Sequence, residues 1–505
     1  MAPLPVLARA AAHGGREALE CGPARHTYDE LLGRAGHVAA AVLAGGRDLA
    51  EARVAFLVPP GPEYVATLWG IWQAGGIALP LSLSATAHEL DHVLDDAAPT
   101  AVVAAADAAV GLADACRRRG IRLVEPPASS PGGAAPGQAV APPDVAEERP
   151  ALILYTSGTT SRPKGVVTTH RCLRAQIESL VEAWRWRPED RIPLFLPLHH
   201  VHGIVNVLCC GLWSGATVDM FPRFDADAIL PRVAADAYTL FMAVPTIYVR
   251  LIEALDRLPA ARRTEVADGF RRMRLMVSGS AALPASVFAR WEELTGQRLL
   301  ERYGMTEIGM ALSNPYDGER RPGAVGGPLP GVEVRLVGED GRTVDRDGEP
   351  GEIQVRGPNV FLGYWNRPDA TRESFQDGWF RSGDVAVVER GSYRILGRSS
   401  LDIIKSGGYK LSALEIEAAL LDHPAIGECA VVGLPDATWG EAVAAAVVLR
   451  EGRSLDAEGL RDWCRGRISP YKIPRVLRVV DALPRNAMGK VTKPAVVAAF
   501  ARPDG

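Results

Sequence analysis

The first chemical signal in the chain is a run of ten residues, Thr156-Ser157-Gly158-Thr159-Thr160-Ser161-Arg162-Pro163-Lys164-Gly165. It puts five hydroxyls, two glycines and a lysine into one turn directly after the apolar run Ala151 to Tyr155. Hydroxyl and backbone N–H groups donate to phosphate oxygens, and Lys164 adds a compact positive charge. The glycines let the backbone approach a ligand closely. This is not a Walker A loop, which needs GxxxxGK followed by Ser or Thr. Counted from Gly158, Pro163 stands where that motif has glycine, and Gly165 follows Lys164. Alone, a turn of this composition also reads as a plain flexible loop.

Composition narrows the partners. Lys plus Arg total 56 and Asp plus Glu 60, a formal charge of −4, so nothing drives the chain towards a nucleic-acid backbone. A small anion held by a few local cations remains open. Seven scattered cysteines without a CxxC pair fit neither a disulfide scaffold nor a zinc knuckle. No stretch reaches the ~18 apolar residues of a membrane span. The N-terminal residues carry one arginine and no long apolar core, so no secretory leader is expected. These readings together predict a cytoplasmic protein.

The elements that must position the phosphate turn follow from periodicity. Tyr28 to Leu43 has helical spacing, Arg53 to Val58 reads as a buried strand, and Glu63 to Ala74 is helical again. Such alternation predicts an α/β layered fold with parallel strands. Residues Glu125 to Pro150, rich in Pro, Ala and Gly, predict an exposed loop. From Val332 the texture is β-rich: VEVRLV, GEIQVRG and YRILG. After Gly397 it changes once more. A helix is expected over Leu411 to Leu421, with Ser412 and Glu415 at capping-box spacing. The strands CAVVGL and VAAAVVL, a helix over Ala457 to Ile468 and the strand VLRVV complete a compact α+β unit. The expected domains are 1–397, a hinge at 398–400 and a small mobile unit at 401–505.

Further motifs follow in order: YGMTE (Tyr303 to Glu307), SGD (Ser382 to Asp384) after Trp379 and Phe380, Gly397-Arg398, SGGY (Ser406 to Tyr409) and PRNAMGK (Pro484 to Lys490). With the phosphate turn, this series resembles the ANL superfamily of acyl-CoA synthetases, peptide-synthetase adenylation domains and luciferases. The resemblance implies activation of a carboxylate by ATP, with pyrophosphate leaving, and then transfer of the acyl group from AMP to a thiol. ATP, Mg²⁺ and coenzyme A are the implied small molecules. It places Thr156, Ser157, Gly158, Thr159, Thr160 and Lys164 at the phosphates. Ser278, Gly279, Ser280, Ala281, Tyr303, Gly304 and Met305 surround the nucleotide, and Thr306 bonds the α-phosphate. Asp384 suits a ribose diol, because an ionised carboxylate accepts two hydrogen bonds. Arg398 contacts ribose or phosphate. Glu307 is the magnesium candidate, since Mg²⁺ favours one or two carboxylates with phosphate oxygens; taken alone it reads as well as a surface carboxylate. Lys490 is implied to swing in for adenylation on the mobile unit, about a hinge at Ser400. Many relatives carry Asp or Lys at that hinge. Ser406, Gly407 and Gly408 would then line the pantetheine arm.

The acid itself is approached through two arginines. Arg250 ends VPTIYVR and Arg302 directly precedes YGMTE. A diacid needs a fixed cation at its far end, and a guanidinium grips a carboxylate through two parallel bonds. The plain alternatives are a solvated Arg250 and an Arg302 paired with Glu301. The segments from Glu301 to Val337, FMAVPTIYVRL, PLHHVHG and IIKSGGYKLSALEIE resemble malonyl-CoA synthetases. That resemblance implies that Arg250, Arg302, His200 and Ser278 line the acid pocket, with His199 standing where the family has an aromatic residue. It implies a malonate–CoA ligase, methylmalonate also fitting. The alternatives are a ligase for another short or medium acid, or a stand-alone enzyme loading a carrier protein. A monomer or weak homodimer is expected. The zincin HxxxH spacing is absent from HHVHG, so metal ligation there is not expected.

Overall fold

The computed structural model describes residues 4–126, 143–156, 163–398, 401–406, 409–436, 439–485 and 491–501. Among them, four sheets and their flanking helices build the α/β fold that the periodicity predicts. The helix Tyr28–Leu43 has the expected bounds, and its start is fixed by a capping box between Thr27 and Glu30. The strand Arg53–Leu57 and the helix Pro62–Gln73 follow, with the helix buried almost all round. Such burial explains its nearly continuous apolar sequence.

A seven-stranded sheet runs in the order Gly363–Tyr364, Lys164–Thr169, Pro150–Thr156, Ile77–Pro80, Arg53–Leu57, Ala101–Ala104 and Arg122–Val124. Its strands from Pro150–Thr156 onward are parallel, whereas Lys164–Thr169 returns antiparallel. Thr156 thus pairs with Lys164 at one end of this antiparallel pair. A larger sheet begins with three parallel strands, Leu240–Ala243, Leu275–Ser278 and Leu300–Met305. It turns antiparallel at Gly309–Ser313 and continues through Ala324–Pro328, Ser392–Arg398, Trp379–Glu389, Gly351–Arg356 and Glu333–Val337. One apolar cluster spanning Leu4 to Ala386 packs between these layers.

The last sheet holds Ile403–Ser406, Tyr409–Ser412, Ile426–Asp436, Gly440–Leu449 and Val476–Val479. Side chains alternate across it. Val431, Val443, Ala445 and Val447 join one buried cluster, and Ala430, Val432, Ala444 and Ala446 join another on the opposite face. Both clusters draw only on residues from Ile404 onward.

Two helices of the C-terminal unit are shorter than expected. Leu411 belongs to the strand Tyr409–Ser412, so the helix begins at Ala413, with the Ser412 hydroxyl accepting from Glu415 N–H at its first turn. The later helix is Ala457–Cys464 and stops short of Ile468, because Arg465 turns extended and Gly466 takes a positive φ of 76°.

Candidate active site

Three parallel strands end side by side where the large sheet changes direction, and crevices at such carboxyl ends collect ligands. Along Leu300–Met305 successive side chains point to opposite faces. Glu301 and Arg302 are therefore separated rather than paired. Glu301 is buried and accepts the Gly323 N–H at 2.8 Å, and burial pushes its carboxyl up to about 8. Arg302 is 3% exposed. Its Nη2 donates to Ser280 Oγ at 3.2 Å, while its Nε has no partner and no ion pair reaches it among the described residues. Burial pulls its guanidinium down from its ordinary value to about 9.

Around this cation stands a set of small and polar groups. Ser280 holds a positive φ of 69°, a conformation rare outside glycine, and its hydroxyl lies 3.2 Å from His202 Nδ1 as well. His202 is buried, and its Nε2 lacks a partner among the described residues. Burial, with Arg302 and His200 acting in the same sense, drives its pKa well below the ordinary value. A neutral imidazole results. The Ser278 hydroxyl is also buried and has no partner among the described residues. Gly279 is required here: a Cβ would come within 2.6 Å of Arg302 Cζ. His200 is half-buried, its ring 4.2 Å from that of His199. Arg250 lies on the exposed face of the helix Pro245–Arg257 and makes no contact with this group among the described residues.

A second group gathers around Asp384. The Tyr303 hydroxyl donates to Asp384 Oδ2 at 2.5 Å, and Arg398 Nε pairs with Asp384 Oδ1 at 2.9 Å. Asp384 is held from below by its own N–H on Ser382 Oγ at 3.1 Å. Burial raises its pKa, and Arg398 and Tyr303 counter that. Gly304, Met305 and Thr306 form a half-exposed edge leading to Glu307. The Glu307 carboxylate is buried, with burial raising its pKa, and accepts the Tyr364 hydroxyl at 3.0 Å. Lys164 sits opposite Thr156 in the hairpin register, with its Nζ 5.2 Å from the Tyr364 ring centroid. No cluster of three or more His, Cys, Asp or Glu able to hold a metal occurs among the described residues. A lone buried carboxylate of this kind fits an ion that takes its other ligands from phosphate and water.

Ser406 is buried at the end of its strand, in register with Gly440. Ala281 is exposed. Ser157, Gly158, Thr159, Thr160, Ser400, Gly407, Gly408 and Lys490 lie outside the described residues. Two members of these groups were not singled out from the sequence. His202 carried only the hint of its neighbours in HHVHG. Tyr364 carried none, since its link to Glu307 spans 57 residues.

The AMP-binding enzyme family matches residues 6–365, and its C-terminal domain family matches 415–490. The chain belongs to the AMP-binding enzymes. More narrowly, it is 44% identical to the human mitochondrial malonate–CoA ligase ACSF3, over 98% of this chain and 92% of that one. ATP-bound MatB from Rhodopseudomonas palustris superposes with a TM-score of 0.88 at 36% identity, covering 99% of both chains. A malonyl-CoA ligase ternary product complex with methylmalonyl-CoA and AMP gives 0.70 at 40% identity, covering 96% of this chain and all of that one. The expected cytoplasmic location is corrected by these relatives, since the human, mouse and cattle proteins are all named as mitochondrial. Unpaired cysteines only argue against an oxidising compartment and do not choose among reducing ones.

Proposed function

We propose that this chain is an ATP-dependent, AMP-forming malonate–CoA ligase. The observation that carries the substrate is Arg302, a buried cation with no counter-anion among the described residues. A desolvated guanidinium favours an anionic ligand, and the distal carboxylate of a short diacid is one that reaches it. The partnerless Ser278 hydroxyl and His202 Nε2 add polar contacts beside it. Arg250 closes the pocket mouth in this reading, and its exposure leaves it accessible to incoming acid.

In the first half-reaction the proximal carboxylate oxygen attacks the α-phosphorus of ATP. The bond to the bridging oxygen breaks and pyrophosphate departs. Lys164 and the hydroxyls of the phosphate turn hold the phosphates, Thr306 donates to the α-phosphate, and Asp384 with Tyr303 and Arg398 fixes the ribose. Glu307 holds Mg²⁺, which supplies charge neutralisation when bound. In the second half-reaction the thiolate of coenzyme A attacks the acyl carbonyl and AMP leaves. The C-terminal unit delivers Lys490 for the first step and the Ser406 turn for the second, rotating near Ser400. Two observations support that division. Its sheet closes a core on both faces. The structural relative of higher identity also superposes less well than the ATP-bound one, as rotation of one unit would produce.

A methyl branch changes binding in an apolar site by about 1–3 kcal/mol, so methylmalonate is a plausible second substrate. The test is AMP release with ATP and coenzyme A across acetate, malonate, methylmalonate, succinate and octanoate. Malonate should lead in kcat/KM; acetate or octanoate turning over ahead of it refutes the proposal.

A further inference from the structure

Lys164 and Glu307 are brought to the same place by different sheets, yet they form no ion pair. Tyr364 stands between them. Its hydroxyl donates to Glu307 Oε1 at 3.0 Å, and its ring lies 5.2 Å under Lys164 Nζ, within the range of a cation–π contact. Tyr364 is itself fixed on several sides. Its N–H donates to Thr371 Oγ1 at 2.9 Å, and its ring meets Phe361 edge-on at 4.9 Å. Its short strand pairs with Val166 and Val167, directly after the phosphate hairpin. The neighbouring Trp365 N–H also bonds the Gly165 carbonyl at 2.8 Å.

We propose that Tyr364 is a positioning residue for metal–triphosphate capture. Its hydroxyl aims the Glu307 carboxylate and its ring seats Lys164, so the two opposite charges hold separate stations around the phosphates instead of neutralising each other. Without the spacer, a buried carboxylate beside a flexible ammonium would pair with it, and both would be lost to the ligand. The proposal rests on the reading of Glu307 as the magnesium-holding carboxylate.

The experiment measures equilibrium binding of ATP with Mg²⁺, of ATP in EDTA and of AMP, together with the Mg²⁺ concentration for half-maximal ATP–pyrophosphate exchange. Tyr364→Phe keeps the ring and removes the hydroxyl. It should weaken Mg²⁺-ATP binding and raise the Mg²⁺ requirement about tenfold, with binding of AMP and of metal-free ATP unchanged. Tyr364→Ala, which removes the spacer as well, should raise the requirement further. Glu307→Asp retracts the carboxylate from the hydroxyl; adding Tyr364→Phe to it should then change nothing more. An unchanged Mg²⁺ requirement in Tyr364→Phe, or full additivity with Glu307→Asp, overturns the positioning role. A wild-type Mg²⁺ requirement in Glu307→Gln overturns the underlying reading of Glu307 instead. Equal losses for AMP and Mg²⁺-ATP would mean that Tyr364 only supports the fold, and would also overturn the proposal.

Discussion

Replacing Arg302 by Met separates a substrate role from a structural one, because the two predict opposite changes in stability. The fall of the guanidinium from its ordinary value to about 9 corresponds to about 5 kcal/mol against the charged form in the folded chain. The hydrogen bond to Ser280 returns roughly 1.5–3 kcal/mol. Methionine fills similar volume without charge, so the ligand-free variant should be more stable than wild type by about 2–3.5 kcal/mol, read from denaturant midpoints. Malonate, however, would leave its distal carboxylate buried without a partner. Truncating one side of such a pair costs about 2–5 kcal/mol, a fall of roughly 30- to 4000-fold in malonate kcat/KM. ATP–pyrophosphate exchange with malonate and with propionate is the assay, and propionate should lose little or gain. A variant that keeps wild-type KM for malonate refutes the reasoning. So does one destabilised by 3 kcal/mol or more, which would reveal a structural ion pair at Arg302.

Three further outcomes are expected. Glu301 is raised from 4.5 to about 8, so the folded state binds the extra proton between those values and its stability contribution is lost as pH rises through about 8; Glu301→Gln should remove that decline, read as melting temperature between pH 5 and 9. Gly279→Ala should push the Arg302 side chain aside, raising KM for malonate at least tenfold while AMP binding is retained, as titration with each ligand would show. Lys490→Ala should cripple adenylate formation yet leave thioester formation from supplied malonyl-adenylate intact, measured as separate half-reactions.

Much of the scaffold could be read from periodicity, because the helix Tyr28–Leu43 and the strand Arg53–Leu57 carry their burial in their own spacing. Bounds failed where a neighbouring element claimed a residue: Leu411 has helical company in sequence but pairs with Ile404 in a hairpin. That Arg302 and Glu301 face opposite sides was legible from strand alternation; that both are buried was not. What stayed hidden was any contact made across the chain. Nothing local to Ser280 says that its hydroxyl spans His202 and Arg302, 78 and 22 residues away. Tyr364 reads as an ordinary strand aromatic until the hairpin and the YGMTE turn are folded against it.

His202 opens an eight-residue π-helix, His202–Cys209, every residue of which is buried. Wide turns of this sort are rare and gather at functional sites. Their consequence here concerns angular phase. Removing one residue between Gly203 and Cys209 would tighten the coil towards an ordinary α-helix, which absorbs most of the lost rotation and turns His202 by roughly 30° relative to the downstream core. A single deletion in this coil would therefore re-aim His202 while leaving every pocket side chain chemically unchanged.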